Sequence, residues 1–316
     1  MRLTGALFFV FNASRRWGET VPDGAALAPV ILPRAQQVVS YHVVTRGTAW
    51  TRVPGGPAVR LQAGDVVVFP QGDAYALWVD SAPPARRLDE DLAFFREMAA
   101  GRLPFELSDD GRGGGALQLV CGFLGCDVRP FNPLLATLPR VLRLEDALGR
   151  PHARTRSLVE LTIAELRQPR PGGDCVRLRL GELLFVEVLR EYLAALPTQD
   201  TGWLAGLRDP VVGRALALLH ERPGEGWTLD ALARAVAASR STLAERFTDL
   251  VGQPPMHYLT QWRMQIAARL LADGRDKVAA VAVEAGYDSE AAFSRAFKKA
   301  TGLPPAAWRR RHAPPA

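Results

Sequence analysis

The chain has 316 residues, of which 48% are hydrophobic and 23% charged, with three cysteines and a formal net charge of +6. This composition is typical of a globular protein of two or three domains, and it argues against a disordered chain or a disulfide scaffold. Because no apolar run approaches the roughly 18 residues that span a bilayer, we expect no membrane association and a cytoplasmic location.

The N-terminal part has the pattern of a β-domain. Short β-branched and aromatic segments, separated by Gly and Pro turns, run from residue 36 to about residue 126, which predicts a β-sandwich or barrel. The apolar stretch 5–11 resembles the short hydrophobic region of a signal peptide. No small-residue cleavage site follows it before Arg15, so we expect an edge strand there. We expect a long loop over 81–116 with a short helix near 92–99. This segment either covers the β-domain or only crosses it.

Helical periodicity begins after residue 133. Apolar residues at three- and four-residue spacing predict helices over 157–167 and 181–196, joined by a turn at 168–174. This pair either covers the open face of the β-domain or pairs across a dimer. We therefore expect a first domain over 1–200, with helices at about 152–196, a linker over 201–209 and an all-helical domain over 210–312.

The C-terminal third contains an internal repeat. Five positions in the first half of the repeated unit recur 49 residues later: Leu229, Leu232, Ala233, Val236 and Ala237. Five positions in its second half recur 50 residues later: Leu243, Phe247, Gly252, Pro254 and Pro255. Each copy predicts a helix, a tight turn and a second helix, with the second turn one residue longer. This is helix-turn-helix geometry, in which the second helix enters a DNA major groove.

Two further features favour a nucleic-acid partner. Residues 205–316 hold 16 Lys and Arg against 11 Asp and Glu, so most of the net charge lies there, as expected for a polyanion-binding domain. Thr228 is the predicted N-cap of the first helix of the repeat.

The periodicity of residues 256–272 predicts a connecting helix with Leu259, Trp262, Ile266 and Leu270 on one face. Such a helix would be roughly 25 Å long, which sets two recognition helices about one DNA turn apart.

The stretch from Ala280, AVAVEAGYDSEAAFSRAFKKATGLPPAAWRRR, is similar to the signature of the AraC family of transcription regulators, and the resemblance covers about 209–311. It implies operator DNA and RNA polymerase as partners and a homodimeric state. It also implies base-facing positions at Ser241, Ala244, Glu245, Ala291 and Arg295. Arg295 is the best base reader, because arginine can fork onto a guanine edge. Arg240, Arg246, Lys298 and Lys299 are expected at phosphates, and Thr242 and Glu290 on the same open helix faces.

Residues 1 to about 200 resemble the cupin domain found in one branch of these regulators, with Gly64-Asp65 and Pro70-x-Gly72 fitting the second cupin motif. Cupin metals need three or more converging ligands. Here His42 is the only histidine of the strand region, and Tyr75 stands where the motif would offer another. We therefore expect no cofactor and no enzymatic activity. A cupin metalloenzyme with a regulatory helical tail is the alternative.

Two candidate sensor sites remain in this domain. One is a set of polar and aromatic residues that forms either an effector pocket or the barrel core: His42, Trp50, Phe69, Tyr75 and Trp78. The other is the pair Cys121 and Cys126, which is either redox-active or simply buried. On a straight strand these two lie about 16 Å apart on opposite faces, whereas a bend at Gly122 and Gly125 would bring them together. The effector, a small molecule or an oxidant, is not defined by the sequence.

The sequence thus predicts a multidomain α+β protein. A cupin-like β-barrel or jelly roll with a helical pair precedes an all-α double helix-turn-helix, in an effector-responsive regulator.

Overall fold

The computed structural model describes residues 3–33, 35–80, 88–103, 106–109, 115–126, 130–146, 153–168, 170–195, 203–274 and 276–312. The chain divides into two units. Residues 1–127 and 138–195 form the first, and residues 128–137 and 196–316 form the second. The first is mainly β-structure and the second is helical, which confirms the predicted α+β class. None of the helices in the described ranges is both long and apolar enough to cross a membrane.

The first unit contains two sheets. Its strands are β1 (Leu3–Ala13), β2 (Gly18–Val21), β3 (Gln37–Arg46), β4 (Thr48–Arg52), β5 (Val59–Gln62), β6 (Val66–Phe69), β7 (Tyr75–Trp78), β8 (Glu106–Ser108), β9 (Leu117–Cys126) and β10 (Leu142–Leu144). The larger sheet has the order β10-β6-β3-β9-β1-β8 and the smaller one β2-β7-β4-β5. Both faces of β3 and β9 are buried, which explains why their sequences are almost continuously apolar.

Helices close this β-structure on two sides. They are α1 (Gly24–Ile31), α2 (Leu88–Ala99), α4 (Ala153–Arg167) and α5 (Gly173–Ala195). On α5, Gly181 lies so close to the Phe8 ring that a Cβ there would be 2.4 Å from it, so the helix lies directly on the larger sheet. Of the two roles expected for the helical pair, covering the sheet is therefore observed.

Asp65 of the second cupin motif has a structural role. Its side chain is fully buried. One carboxylate oxygen lies 2.7 Å from Nη2 of Arg143 on β10 and accepts from the Gln62 backbone N–H at 2.9 Å. The other accepts from the Asp146 backbone N–H. The motif thus fixes the β5–β6 turn to the edge strand β10.

Two expectations for the first part of the chain are wrong. The stretch 5–11 is not an edge strand, because β1 lies between β9 and β8. The expected linker 201–209 contains a helix, α6 (Trp203–Arg208); residues 201 and 202 lie outside the described ranges. Trp203 is buried, and its indole N–H donates to the Tyr258 hydroxyl at 3.1 Å. A tryptophan that finds an apolar site and a hydrogen-bond acceptor stabilises a short helix that propensity alone does not predict.

The second unit is wholly helical in its regular structure. Its helices are α3 (Pro133–Thr137), α6, α7 (Pro210–Glu221), α8 (Leu229–Ala235), α9 (Arg240–Val251), α10 (Pro255–Asp273), α11 (Val278–Glu284), α12 (Glu290–Thr301) and α13 (Pro305–His312). Residues 128–137, expected in the first domain, group with this unit. Phe131 places its ring 5.4 Å from that of Tyr258 on α10 and donates its backbone N–H to Gln265.

The internal repeat is confirmed as a structural repeat. α9 and α12 each have 12 residues and begin 50 positions apart. The preceding helices α8 and α11 begin 49 positions apart. The extra residue lies in the second turn, as predicted.

The connecting helix α10 buries a different face from the one expected. Its buried side chains include Leu259, Met264, Ala267, Ala268 and Leu271. Trp262, Ile266 and Leu270 are only half-buried. The prediction failed because α10 packs against helices of both repeats, so its apolar surface is wider than one stripe.

Candidate nucleic-acid interface and interior cavity

The first helix-turn-helix is formed by α8 and α9. Thr228 caps α8, as predicted, and accepts from the Ala231 backbone N–H. The turn passes through Ala237, whose φ of +56° is left-handed, and Ser239 then caps α9 by accepting from the Thr242 backbone N–H at 3.1 Å. Leu243 and Phe247 of α9 are fully buried, so the opposite face of this helix is exposed to solvent.

The second unit repeats this arrangement with α11 and α12. Gly286 takes the left-handed turn position, with φ +74°, and Ser289 caps α12 through the Ala292 backbone N–H at 3.2 Å. Phe293 and Phe297 are fully buried. Phe297 contacts Trp308 of α13, with ring centroids 5.8 Å apart.

The predicted DNA-facing residues lie on these two helices, and nearly all of them are exposed. On α9 the exposed ones are Arg240, Ser241, Thr242, Glu245 and Arg246, and on α12 they are Glu290, Ala291, Arg295, Lys298 and Lys299. Ala244 is half-buried, which suits contact with a methyl group better than a polar role.

Two of the arginines expected at phosphates have acidic partners within the protein. Arg246 forms an ion pair with Asp209, which is itself the N-cap of α7. Asp209 accepts from the backbone N–H groups of Val211 and Val212, both at 2.9 Å. Arg240 lies 3.8 Å from Asp230, with both side chains exposed. The contact of Arg246 therefore stabilises the start of α7, whereas that of Arg240 is weak.

Arg263, which the sequence did not single out, joins the two repeats. From α10 its guanidinium donates to the carbonyls of Pro223 and Glu225, both at 2.7 Å. Burial lowers the pKa of Arg263. A Cβ built on Gly286 would lie 2.8 Å from Nη2 of Arg263 and 2.9 Å from the carbonyl oxygen of Gly224. The loop before α8 thus packs on the turn of the second repeat, so Arg263 links the two repeats.

The first unit contains a cavity of about 80 Å³ between its sheets and α2. Most of its wall is aromatic or aliphatic. The lining residues are Phe9, Phe11, Trp17, Glu19, Val21, His42, Leu77, Phe94, Phe95, Cys121 and Phe123. Because α2 supplies Phe94 and Phe95, the helix expected within 81–116 covers the β-domain rather than only crossing it.

Of the five expected pocket residues, only His42 lines the cavity. Phe69 and Tyr75 are core residues whose rings stack with centroids 3.6 Å apart, and both contact the His42 ring. Trp50 and Trp78 face each other across the pair β4 and β7, and the Trp50 side chain is 37% exposed. On β4 the inward residues are Ala49 and Thr51, so strand alternation directs Trp50 outward.

The two cysteines are not brought together. β9 pairs with β3 residue by residue from Cys121 to Cys126. Its pairing with β1 has one register shift, between Leu3 and Gly5 of β1, so the extra residue lies on β1 and not between the two cysteines. Both cysteines are buried and unpaired with each other, and burial raises the pKa of the Cys121 thiol. Since a reactive cysteine needs an exposed thiolate, these observations favour the alternative that the two cysteines are simply buried.

The residues present do not fit a cupin metal. In the described ranges there is no group of three His, Cys, Asp or Glu side chains that could hold an ion. Nε2 of His42, the one candidate ligand, lies 2.6 Å from the Tyr75 hydroxyl, and aromatic rings surround it.

Comparison with known proteins agrees with both units. The cupin family model matches residues 1–194, and a helix-turn-helix domain model matches residues 232–311. A protein of Streptomyces lividans named as an AraC-like transcription regulator is 35% identical over 278 residues, which cover 87% of this chain and 88% of the relative. A similarly named protein of Streptomyces antibioticus is 35% identical over 285 residues, 89% of each chain.

Among solved structures, the DNA-binding domain of AdpA in complex with a target DNA is 32% identical. The match covers 33% of this chain and 93% of that chain, with a TM-score of 0.32. The matches to the two sequence families and the full-length similarity to the Streptomyces proteins agree with the geometry of the two repeats. The chain belongs to the AraC family of DNA-binding transcription regulators, with a cupin domain in its N-terminal half.

Proposed function

We propose that α9 and α12 are the recognition helices and that they enter successive major grooves of one operator. The observation that carries this proposal is the repetition of a complete unit. Both helices have the same length, a serine N-cap, two buried anchors and an exposed polar face. A pair of equivalent exposed helices, held by Arg263 and α10, suits a ligand that itself repeats every helical turn.

The exposed side chains divide into two roles. Arg295 reads a base, most naturally a guanine, through two parallel hydrogen bonds. Lys298 and Lys299, in the last turn of the same helix, contact phosphates and contribute affinity without sequence preference. Glu245 on α9 accepts from a cytosine amino group.

The test is binding of the full chain to its own upstream intergenic DNA and to a scrambled duplex at several salt concentrations. We expect selective binding with a steep negative salt slope. Arg295→Ala should weaken operator binding by about 1–3 kcal/mol and relax one base preference. The matched variant Lys298→Ala should weaken both duplexes alike and reduce the salt slope by about one. Equal effects of the two substitutions on both duplexes would refute the assignment.

We also propose that the protein acts as a homodimer through the helical pair. An apolar stripe on α5 is formed by Val176, Leu183 and Val186, which are 43%, 55% and 42% exposed, and Leu161 of α4 is 55% exposed. The ion pairs Arg179–Glu182 and Arg190–Glu187 lie on the same helix. An apolar stripe beside charges of both signs is self-complementary, which supports a second copy as its partner.

The cupin unit serves as the sensor in this proposal. An effector in the interior cavity stabilises one of two arrangements of the chain, and operator affinity changes because the two arrangements bind DNA differently. RNA polymerase is the second macromolecular partner, and the site of action is the cytoplasm, where the DNA is. The largely apolar lining of the cavity supports this role, because small-molecule sites are usually concave and mostly apolar.

A further inference from the structure

We propose that residues 130–137 connect the cupin unit to α9, the first of the two proposed recognition helices, and that Phe131 acts in this connection by positioning α9. This proposal rests on the proposed sensor role of the cupin unit and names the part of the chain through which an effector reaches the DNA-binding surface. Residues 128–137 lie between β9 and β10 of the cupin unit in sequence, yet they group with the helical unit. Residues 130–137, the described part of this stretch, are called the inserted segment below.

The inserted segment is attached to the helical unit at several points. The backbone N–H of Phe131 donates to Oε1 of Gln265 at 2.8 Å. Its ring meets that of Tyr258 edge-on, with centroids 5.4 Å apart and an angle of 82° between the planes. Both partners lie on α10, seven positions apart and thus on one face of the helix. Further along the segment, Leu135 is buried and α3 packs against α6.

Tyr258 joins the inserted segment to α9. Its side chain is fully buried, and its ring lies 5.7 Å from that of Phe247, a buried anchor of α9. The Tyr258 hydroxyl accepts from the indole N–H of Trp203 at 3.1 Å and lies 2.8 Å from Nε2 of His220. A buried ring that is also fixed at its hydroxyl moves together with its neighbours, because protein interiors are close-packed. A displacement of Phe131 therefore reaches α9 through one intervening side chain.

The second repeat provides an internal comparison. Trp308, 50 positions after Tyr258, contacts Phe297 of α12 with ring centroids 5.8 Å apart. Its indole N–H donates to the carbonyl of Ala268 on α10 at 3.0 Å. These two partners lie in the helices α10 and α12, whereas Tyr258 has an aromatic partner, Phe131, from the inserted segment. We therefore expect the segment to act on α9 and not on α12.

Both ends of the inserted segment are held in the cupin unit. On one side, Cys126 ends the register of β9 with β3, and Phe123 on the same strand lines the cavity. On the other side, the carbonyl of Leu138 accepts from the side-chain amide of Gln71, in the turn between β6 and β7, at 2.9 Å. A ligand in the cavity that shifts β9 relative to this turn therefore changes the distance that the segment must span.

Coupling through this connection is reciprocal. If occupancy of the cavity changes the affinity of α9 for DNA, then binding of DNA to α9 must change the occupancy of the cavity by the same factor. DNA binding must then favour one arrangement of the cupin unit over the other. The connection can therefore be tested with operator DNA as the only ligand.

The experiment follows hydrogen exchange in the full chain with and without its own upstream intergenic DNA. It compares wild type with Phe131→Ala, with the conservative variant Phe131→Leu and with Trp50→Ala. Trp50→Ala is the matched control, because it also removes a partly exposed aromatic ring, but from the outer face of the smaller sheet. In wild type we expect DNA to change exchange in residues 130–137 and in β9 by about threefold or more.

Phe131→Ala should abolish the response of β9 to DNA and weaken operator binding by about fivefold or more. Phe131→Leu, which keeps an apolar contact with Tyr258, should retain most of the response, and Trp50→Ala should retain all of it. Without DNA, Phe131→Ala should speed exchange in α9 by about threefold or more and leave α12 unchanged. General loosening of the helical unit would instead speed exchange in both helices.

The response of wild-type β9 to DNA does not depend on any variant folding. The proposal is overturned if DNA leaves the exchange of β9 unchanged in wild type, if Phe131→Ala retains the full response, or if that variant affects α9 and α12 equally.

Operator binding in the same samples separates this inference from the proposed function. Selective DNA binding without any response in β9 would leave the regulator intact and remove the connection. Equal binding of the wild-type protein to the intergenic DNA and to a scrambled duplex would refute the proposed function, and this inference with it.

Discussion

The substitution Gly286→Ala tests whether the contact between the two repeats fixes the second recognition helix. Gly286 has a left-handed backbone, which costs a residue with a Cβ about 1–2 kcal/mol. The added Cβ would also lie 2.8 Å from Nη2 of Arg263 and 2.9 Å from the backbone oxygen of Gly224. Overpacking of this kind costs about 1–3 kcal/mol, while the stiffer unfolded chain returns about 0.4–1 kcal/mol. We expect a net loss of about 2–4 kcal/mol in the stability of the second repeat.

Gly302→Ala is the matched control. Gly302 has nearly the same φ, +78°, but nothing lies within 4 Å of the position of its Cβ. Only the backbone terms remain, so we expect a loss of about 1 kcal/mol or less. Ala237→Gly, at the equivalent turn position of the first repeat, should stabilise that repeat slightly, since it removes the strain of an exposed left-handed alanine.

Hydrogen exchange in the full chain, followed in peptides from α11, α12 and residues 222–226, measures these effects locally. Gly286→Ala should speed exchange in all three segments, because the loop and the turn share the Arg263 contact. It should also weaken operator binding more than Gly302→Ala does. Equal exchange and equal DNA affinity for the two variants would show that the Gly286 contact does not hold the repeats together.

Three further predictions concern single side chains. Asp209→Ala removes the N-cap of α7 and the partner of Arg246, and should lower the unfolding free energy of the helical unit by about 1 kcal/mol; a urea titration unchanged from wild type would contradict this. The pKa of His42 is about 3 in the folded protein and 6.5 when the ring is exposed. As the pH falls below 6.5, the unfolded state therefore binds a proton that the folded state does not. The unfolding free energy of the cupin unit should fall by up to about 1.4 kcal/mol per pH unit from pH 6.5 towards pH 3. Urea titrations at pH 7.5, 6.5 and 5.5 should show that loss only below pH 6.5, and an equally steep loss in His42→Phe would assign it to another group. Leu183→Lys should shift the protein from dimer to monomer in sedimentation equilibrium while Arg179→Lys does not, and a dimer retained by Leu183→Lys would place the interface elsewhere.

The prediction of the helical unit succeeded because its information is local. Caps, turn residues and buried anchors lie within 20 residues of each other in each repeat. Thr228, Phe247 and Phe297 have the environments that the pattern predicted. The duplication supplied a second, independent reading of the same pattern. Where longer contacts intervened, prediction failed: α6 is a helix because Trp203 reaches Tyr258, 55 positions away.

Of the five residues expected to form either an effector pocket or the barrel core, only His42 lines the cavity. A sequence identifies aromatic residues near turns, but which of them meet depends on how two sheets face each other. Phe9, Phe95 and Phe123 come from three separate parts of the chain and meet at the cavity. Trp50, expected there, points outward because side chains alternate along β4 and its neighbours Ala49 and Thr51 point inward. Cys121 and Cys126 remain apart because β9 stays in register with β3 over the whole stretch between them.

The sequence by itself determined the class of the protein, its two-part organisation and the positions of its two helix-turn-helix units, since these follow from periodicity, capping and repetition over short distances. Only the tertiary structure decided that Arg263 joins the two repeats, that Arg246 pairs with the N-cap of α7, and that His42 on β3 and Phe95 on α2 line one cavity. Each of these depends on contacts between residues more than 30 positions apart, whose pairing is set by packing of the whole unit and not by any local pattern.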